Sequence, residues 1–475
     1  MCIGKSITER VYMTLALPQE FLDRMKELLP DETEFKAFVD SYEETPVRGL
    51  RLNLKKLLEN EASGDERAIT YERLLTEWEL TPINEASYAI YNGKKYYREF
   101  YMNETALNQR GIRPGRHPYH EAGLYYIQGP EAMQAVSHLD IRPYDRVIDL
   151  CASPGGKSTQ AADMLSLDEG GFIISNEYVS LRAKTLSSNI ERMGISNAAV
   201  LNEDTGKLAR FFPEYFTRVI VDAPCSGEGM FRKDETAIKE WSPDNVRLCA
   251  ERQKEIVSAA CRMLSPGGKL CYSTCTFEKE EDEDIRDFIL ESFPDMHLIF
   301  EKRFWPHIDK GEGHYVSVFQ RAGKDPFEEK NTSFGTVIKG PDRSISMQIL
   351  TEKKMKDQIY LIPDIIPDLS GLKVFRTGIL KAQDLKKRIE PEHALTHAIN
   401  IHDEKEAENF EFSVCDYGSE DPLMNQYLRG LQIPAPEGMD KKGWCIVACD
   451  GAALGLGKIV NGMIKNHYPK GLRFM

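Results

Sequence analysis

The sequence predicts an α/β protein with a Rossmann-like sheet at its centre, a smaller α+β domain before it and a β-rich domain after it. Three observations carry that expectation. Residues 146–160, RVIDLCASPGGKSTQ, read as a strand, a glycine-bearing turn and the start of a helix. Strands and helices then alternate as far as residue 276. Acidic or polar side chains follow those strands at their carboxyl ends, where open α/β sheets hold their ligands.

Residues 17–45 read as helical, with Phe21, Met25, Leu28 and Leu29 at helical spacing. Residues 47–56, VRGLRLNLKK, alternate apolar with polar or basic positions, which predicts a strand whose basic face carries Arg48, Arg51, Lys55 and Lys56. A second positive and aromatic cluster spans 94–98 and a third spans 110–116. Any one of these is most often a solvated edge, but three in one segment predict a module facing nucleic acid. Tyr125 and Tyr126 are candidates to stack on RNA, although packing against the core is the commoner use of such residues.

In the central turn, Val147, Ile148 and Leu150 form a buried-strand run that Pro154, Gly155 and Gly156 interrupt, and residues 157–165 have helix-forming composition. Glycines let a ligand approach the backbone, and the helix that follows points its free N–H groups at it. The segment GGKST resembles a phosphate-binding P-loop, but Cys151 stands where that motif needs its first glycine. An adenosine ligand asks instead for an acid after the second strand. Residues 172–174 supply that strand, and Glu177 lies 21 positions beyond Gly156. Taken alone, Glu177 fits a solvated turn equally well.

Beyond it, Val179, Ala183, Leu186, Ile190 and Met193 share one helical face that Gly194 ends. A third strand at 198–201 leads into Asn202, Glu203 and Asp204, and a fourth at 218–221 into Asp222, Ala223, Pro224 and Cys225. A helix with Ile256, Val257, Ala260, Met263 and Leu264 on its buried stripe turns at 265–268 into a fifth strand, 269–273, which ends in Thr274, Cys275 and Thr276. Residues 320–356 are polar and poorly patterned, as in a linker or peripheral module. Residues 443–475 read as a small β-rich domain with a strand at 444–448 and a basic edge of Lys458, Lys465, Lys470 and Arg473.

At 475 residues the chain suggests about three domains. Its 61 basic and 75 acidic residues leave a net charge of −14, so nucleic acid would have to be held by local basic patches. The ten cysteines include no CxxC pair and no histidine spacing that would complete a metal site. The start lacks the apolar core of a signal peptide, and no apolar run is long enough to span a membrane. A cytoplasmic protein with reduced thiols and no metal is expected.

Two of those thiols, Cys225 and Cys275, follow neighbouring strands into the same cleft, which favours reactivity over packing. A thiolate beside an adenosine-type methyl donor suits one reaction in particular. Carbon 5 of a pyrimidine is too weak a nucleophile to take a methyl group, but adding a thiolate to carbon 6 makes it an enamine carbon. An acid at N3 helps the addition, and a carboxyl such as Asp222 is expected to serve.

These motifs resemble the NOL1/NOP2/Sun family of RNA cytosine-5 methyltransferases, most closely its bacterial 16S ribosomal RNA enzymes of the RsmF type. The residues that carry the resemblance are HEAGLYYIQGPEAM at 120–133, VIDLCASPGGKST at 147–159, NIERMG at 189–194, VDAPCSGEGMFRKD at 221–234 and LSPGGKLCYSTCTF at 264–277. The resemblance implies a class I methyltransferase core at 119–322, an N-terminal RNA-binding domain at 1–118, a linker and intermediate module at 323–410 and a PUA-like domain at 411–475. It implies Cys275 as the nucleophile, Cys225 as the thiol that assists product release, and Asp222 in contact with the target cytosine. S-adenosyl-L-methionine is the implied cofactor. Its expected contacts are Cys151, Ala152, Ser153, Pro154, Gly155, Gly156 and Lys157 on the methionine part, Glu177 and Asp204 on the ribose and adenine, and Arg182 and Asp222 beside them. Lys157 is expected to reach the reacting centre. Ribosomal RNA or the small ribosomal subunit is the implied partner, bound by a monomer with no protein partner. One departure is the acidic run EKEEDEDI after Phe277, which lacks an asparagine common in the family.

Overall fold

The computed structural model describes residues 17–84, 87–327, 336–337, 350–403, 410–439 and 441–474. The chain enters through helix α1 (Gln19–Leu28), with Phe21 and Met25 fully buried. The helical run expected over 17–45 breaks around Pro30, which has no N–H to continue it, and restarts at Glu32–Asp40 under an Asp31 cap. Phe21 packs edge-on against Phe231 and Trp241, and Phe38 against Phe277. The first helices therefore clamp the loops that leave two core strands.

The strand expected over 47–56 is half strand and half helix. Strand β1 (Gly49–Leu52) runs straight into α2 (Leu54–Ser63), which Asn53 caps. β1 lies between β2 (Glu99–Tyr101) and β3 (Tyr125–Gln128), antiparallel to both, and all its residues are buried. The strand's own part of the basic face is consequently turned inward. Arg51 Nη2 donates to Thr159 Oγ1 at 2.6 Å, Lys56 Nζ donates to the Ala122 carbonyl at 2.6 Å, and Arg98 pairs with Asp163. Arg48, Lys55, Lys94, Lys95, Arg113 and Arg116 remain exposed. Tyr125 and Tyr126 are buried, which leaves no face of either free to stack on RNA.

The core sheet has parallel strands β4 (Arg146–Asp149), β5 (Phe172–Asn176), β6 (Ala198–Leu201), β7 (Phe216–Asp222) and β8 (Leu264–Thr274), in the spatial order β6-β5-β4-β7-β8. Both faces are covered, which is why these strands are continuous apolar runs rather than alternating ones. Beyond β8 the sheet adds β10 (His314–Arg321), antiparallel, and then β9 (Met296–Phe304); at the other edge β11 (Val374–Thr377) pairs with β6. The glycine turn enters helix α3 (Gly156–Ala162), and α4 (Ser180–Arg192) and α5 (Pro243–Met263) follow β5 and β7. Val179, expected on the buried face of α4, is its N-cap and is 47% exposed. The turn expected at 265–268 is a bulge within β8, where pairing with β7 jumps from Phe216↔Leu264 to Arg218↔Lys269. Strand order reverses at β4, which places a ligand crevice beyond its carboxyl end.

Leu350–Met355 and Gln358–Pro363 form a hairpin in a four-stranded sheet with Ile379–Asp384 and Ile389–Pro391. Residues 350–355, expected as linker, are thus a strand; most of 328–349 lies outside the described residues. A five-stranded sheet built on Gly443–Cys449 and Ala452–Val460 closes the chain. It shares one apolar cluster with the N-terminal domain, and Tyr119 Oη donates to Asp450 Oδ2 at 2.7 Å across that contact. No described helix is long and apolar enough to cross a membrane.

Candidate active site

β7 and β8 are parallel neighbours, with Asp222 opposite Ser273. Each strand exits into a loop that carries a cysteine shortly afterwards, and adjacent strands lie only ~4.8 Å apart. The result is that Cys225 Sγ and Cys275 Sγ stand 3.3 Å from each other, both half-buried. The hydrogen bond to Cys275, and then burial, push the Cys225 thiol well above its ordinary pKa.

Asp222, the last residue of β7, accepts from Ser273 Oγ at 2.9 Å and meets Lys157 Nζ at 2.7 Å. Burial opposes its ionisation, but the Lys157 charge and these hydrogen bonds outweigh burial and hold its pKa below the usual carboxylate value. Burial likewise opposes the Lys157 charge, and Asp222 outweighs it and raises the lysine. Asp222 is thus ionised, and the proton expected of it resides on Lys157. Sequence reasoning missed His314, at the start of β10. It is 3% exposed, and burial and the Lys157 charge lower its pKa to about 3, so it is a neutral wall of this site.

The loop 151–156 crosses the carboxyl end of β4. Ala152 N donates to Asn176 O, Arg182 Nη2 to Ser153 O at 2.9 Å, Ser153 Oγ to Arg182 O at 3.0 Å, and Asn189 Nδ2 to Pro154 O at 2.9 Å. α4 thereby holds the loop open, and Gly155, at φ 116°, occupies a conformation that side chains disfavour. Glu177 ends β5 and is buried; one carboxylate oxygen takes Val179 N at 2.8 Å, and Arg182 lies 3.6 Å from the other. Asp204, beyond β6, caps the next helix through Lys207 N and is exposed. Cys151 is half-buried, and burial raises its thiol pKa strongly. Asp149 was not singled out, although an acid directly before a glycine turn is a readable signal. It accepts from Ser158 Oγ at 2.7 Å, its Oδ1 has no partner, and burial pushes its pKa up to about 7.

The acidic run after Phe277 turns inward behind the two cysteines. Glu281 accepts from Ser226 N at 3.1 Å and Gln253 Nε2 at 2.7 Å, and Thr274 Oγ1 donates to Asp282 Oδ1 at 2.6 Å. Burial, reinforced by Glu228, pushes Glu281 up to about 9, and burial pushes Asp282 up to about 8. Its place is structural: it fixes the residues next to Cys225 and Cys275.

Sequence profiles of one family match along the chain. A profile for "16S rRNA methyltransferase RsmB/F" matches residues 136–327, the "N-terminal domain of 16S rRNA methyltransferase RsmF" 17–130, the "RsmF rRNA methyltransferase first C-terminal domain" 350–399 and the "Methyltransferase RsmF PUA domain" 416–474. The chain is 30% identical over 507 residues to the ribosomal RNA small subunit methyltransferase F of Erwinia tasmaniensis, covering 98% of each chain. To the protein of that name in Vibrio campbellii it is 29% identical, covering 96% of this chain and 97% of the relative. In fold it is similar to a methyltransferase homologue from Pyrococcus horikoshii, with TM-score 0.52, 22% identity and coverage of 65% of this chain and 96% of the other. A structure of NSun6 from the same organism, with SFG, aligns at TM-score 0.51 and 20% identity over 66% of this chain and 100% of the other.

Proposed function

Because the chain belongs to the RsmB/F family of methyltransferases, we propose that it methylates carbon 5 of a cytosine in 16S ribosomal RNA, using S-adenosyl-L-methionine and a covalent adduct at carbon 6. The observation that carries this reading is the pair of thiols 3.3 Å apart beside the ionised Asp222–Lys157 pair. A binding module has no need of that arrangement.

The residues divide the chemistry as follows. Cys275 gives its thiol proton to water and attacks carbon 6 as the thiolate, forming an S–C6 bond as the C5–C6 π pair shifts into the ring and makes carbon 5 an enamine carbon. Charge that develops on the ring at N3 takes the proton of Lys157, while the Asp222 carboxylate accepts from the exocyclic amine of cytosine and not of uracil, which has none. Bound S-adenosyl-L-methionine supplies the electrophilic methyl group. Support for that cofactor comes from the open loop 151–156, the buried Asp149 Oδ1 that still lacks a partner, and Glu177 at the end of the second core strand. In the resting site a hydrogen bond joins the two sulfurs and helps to raise the Cys225 thiol; once the Cys275 sulfur is bonded to carbon that contribution weakens. Cys225 then loses its proton to water and takes the carbon 5 proton; the C5–H electron pair re-forms the C5–C6 double bond, the S–C6 bond breaks to restore the Cys275 thiolate, and N3 returns its proton to Lys157.

The test is to express Cys225→Ala in cells, purify it under denaturing conditions and sequence the RNA that stays attached. An RNase-sensitive adduct mapping to 16S ribosomal RNA is expected. Mapping to transfer RNA or 23S RNA overturns the substrate. Absence of an adduct, with the purified wild type still methylating RNA, overturns the role of Cys225.

A further inference from the structure

In the N-terminal domain lies a cavity of about 420 Å³. That is within the ~300–1,000 Å³ of pockets that hold small organic groups. Its floor is apolar, from Met102, Ile112 and Ile127, and its rim carries Arg48, Arg113 and Arg116. All three arginines are exposed. Arg48 lies 3.3 Å from Glu104, the acid on the rim, whereas Arg113 and Arg116 have no ion pair among the described residues. Concentrated cation around an apolar floor is unusual in a chain of net charge −14, and it complements a phosphate-linked aromatic ring.

The cavity's place in the fold sets its partner. Ile127 is followed in β3 by Gln128, and Gln128 packs on the glycine turn so closely that a Cβ on Gly156 would fall 3.1 Å from its Cδ. Gly49 pairs with Gln128, so Arg48 stands at the same end of β3. Successive residues of a strand point to opposite faces, so Gln128 turns toward the glycine turn while Ile127 turns away from it into the cavity, at the end of β3 that Arg48 flanks. An RNA whose target base enters at Cys275 therefore meets the cavity with a nucleotide beyond the target's immediate neighbours.

We propose that the cavity receives the unstacked base of an unpaired nucleotide of the bound RNA outside the target site, with Arg113 and Arg116 on its phosphates and Arg48 at the inner rim. This rests on the reading of the enzyme as an RNA methyltransferase. Single-stranded RNA is bound in this way elsewhere in chemistry: a splayed base takes the apolar face and guanidinium groups take the backbone. The order of the rim explains why basic residues persist at 110–116 although Arg51, Lys56 and Arg98 are consumed internally.

Two variants separate base from phosphate. Gly115 lies on the cavity wall with an ordinary backbone, and a Cβ there would meet only Ile127 Cδ1 at 3.9 Å, so Gly115→Leu fills the space without strain. Arg113→Ala/Arg116→Ala removes two exposed cations and no internal contact. Both are assayed for methylation of an unmodified 16S ribosomal RNA transcript, and by fluorescence anisotropy with a ten-nucleotide single-stranded RNA over a series of salt concentrations. Gly115→Leu is expected to raise the KM for RNA about 10-fold, the scale of one lost base contact, with the salt dependence of binding unchanged. The double arginine variant is expected to lower the slope of log affinity against log salt by about 1.4, or 0.7 for each phosphate contact. In both, kcat at saturating RNA and the affinity for S-adenosyl-L-methionine by titration calorimetry stay at wild-type values. An arginine effect with none from Gly115→Leu would reduce the site to backbone contact and overturn the base pocket. Wild-type KM in both variants overturns the proposal while leaving the methyltransferase reading intact; a wild type that methylates no RNA brings down that reading instead.

Discussion

Lys157 Nζ and Asp222 Oδ1 meet at 2.7 Å, joining the first turn after the glycines to the last residue of β7. Lys157 is buried and could not keep its charge there alone, and each holds the other ionised. The pair therefore stays charged across the neutral range and brings one mobile proton to the ring. Lys157→Met should lower single-turnover methylation at saturating cofactor by about 10²-fold, the scale of a lost proton donor. If the rate at saturation is unchanged and only cofactor affinity falls, Lys157 serves the loop and not the chemistry.

The thiol pair should respond asymmetrically. Cys275→Ala is expected to abolish turnover and to leave no RNA attached on a denaturing gel, and Cys225→Ala/Cys275→Ala to behave identically. Tight trapping of RNA by Cys275→Ala would reverse the two roles. The raised pKa of Cys225 fits a thiol that does not make the first attack, because a protonated sulfur is a poor nucleophile.

Behind those loops, Glu281 is protonated at neutral pH, its pKa pushed up to about 9 by burial and the neighbouring Glu228. A carboxyl with a raised folded pKa binds its proton more tightly in the folded chain. Stability is then full below the unfolded carboxyl pKa, ~4, and is lost as pH rises toward the folded value. The melting temperature should accordingly fall between pH 5 and pH 9. Glu281→Gln, which keeps the acceptor for Ser226 N and Gln253 Nε2 but cannot ionise, should flatten that fall in calorimetric melts; an unchanged slope would remove Glu281 as its source.

Arg51 offers a sharp check on the N-terminal domain. It is fully buried, burial lowers its pKa to about 10, and two of its nitrogens lack hydrogen-bond partners. Arg51→Met should leave the salt dependence of RNA affinity unchanged and the melting temperature level or higher, since a hydrophobic side chain of similar volume replaces a poorly satisfied charge. A slope lower by about 0.7 would instead place Arg51 on a phosphate.

The core was legible because its signals are local and doubled. The strand, turn and helix around Gly155 and Gly156, the apolar runs of β4 to β8 and the cysteines after β7 and β8 all sit where period and punctuation place them. The basic strand face was misread for a physical reason: alternation reports two faces but not which one meets solvent. Here α3 covers the face that holds Arg51, and Thr159 receives its proton. Val179 failed similarly, since the helical stripe continues through an N-cap that lies outside the helix.

The sequence by itself determined which residues can do chemistry, because nucleophile, acid and glycine turn are properties of residue type and spacing. Only the tertiary structure decided their protonation. Asp222 reads as an acid until Lys157 is folded against it, Cys225 and Cys275 are 50 residues apart in the chain until parallel pairing sets them 3.3 Å apart, and EKEEDEDI reads only as an acidic run until burial makes Glu281 neutral. Charge state depends on desolvation and on neighbours brought from distant elements, and neither is written in the order of residues along one strand.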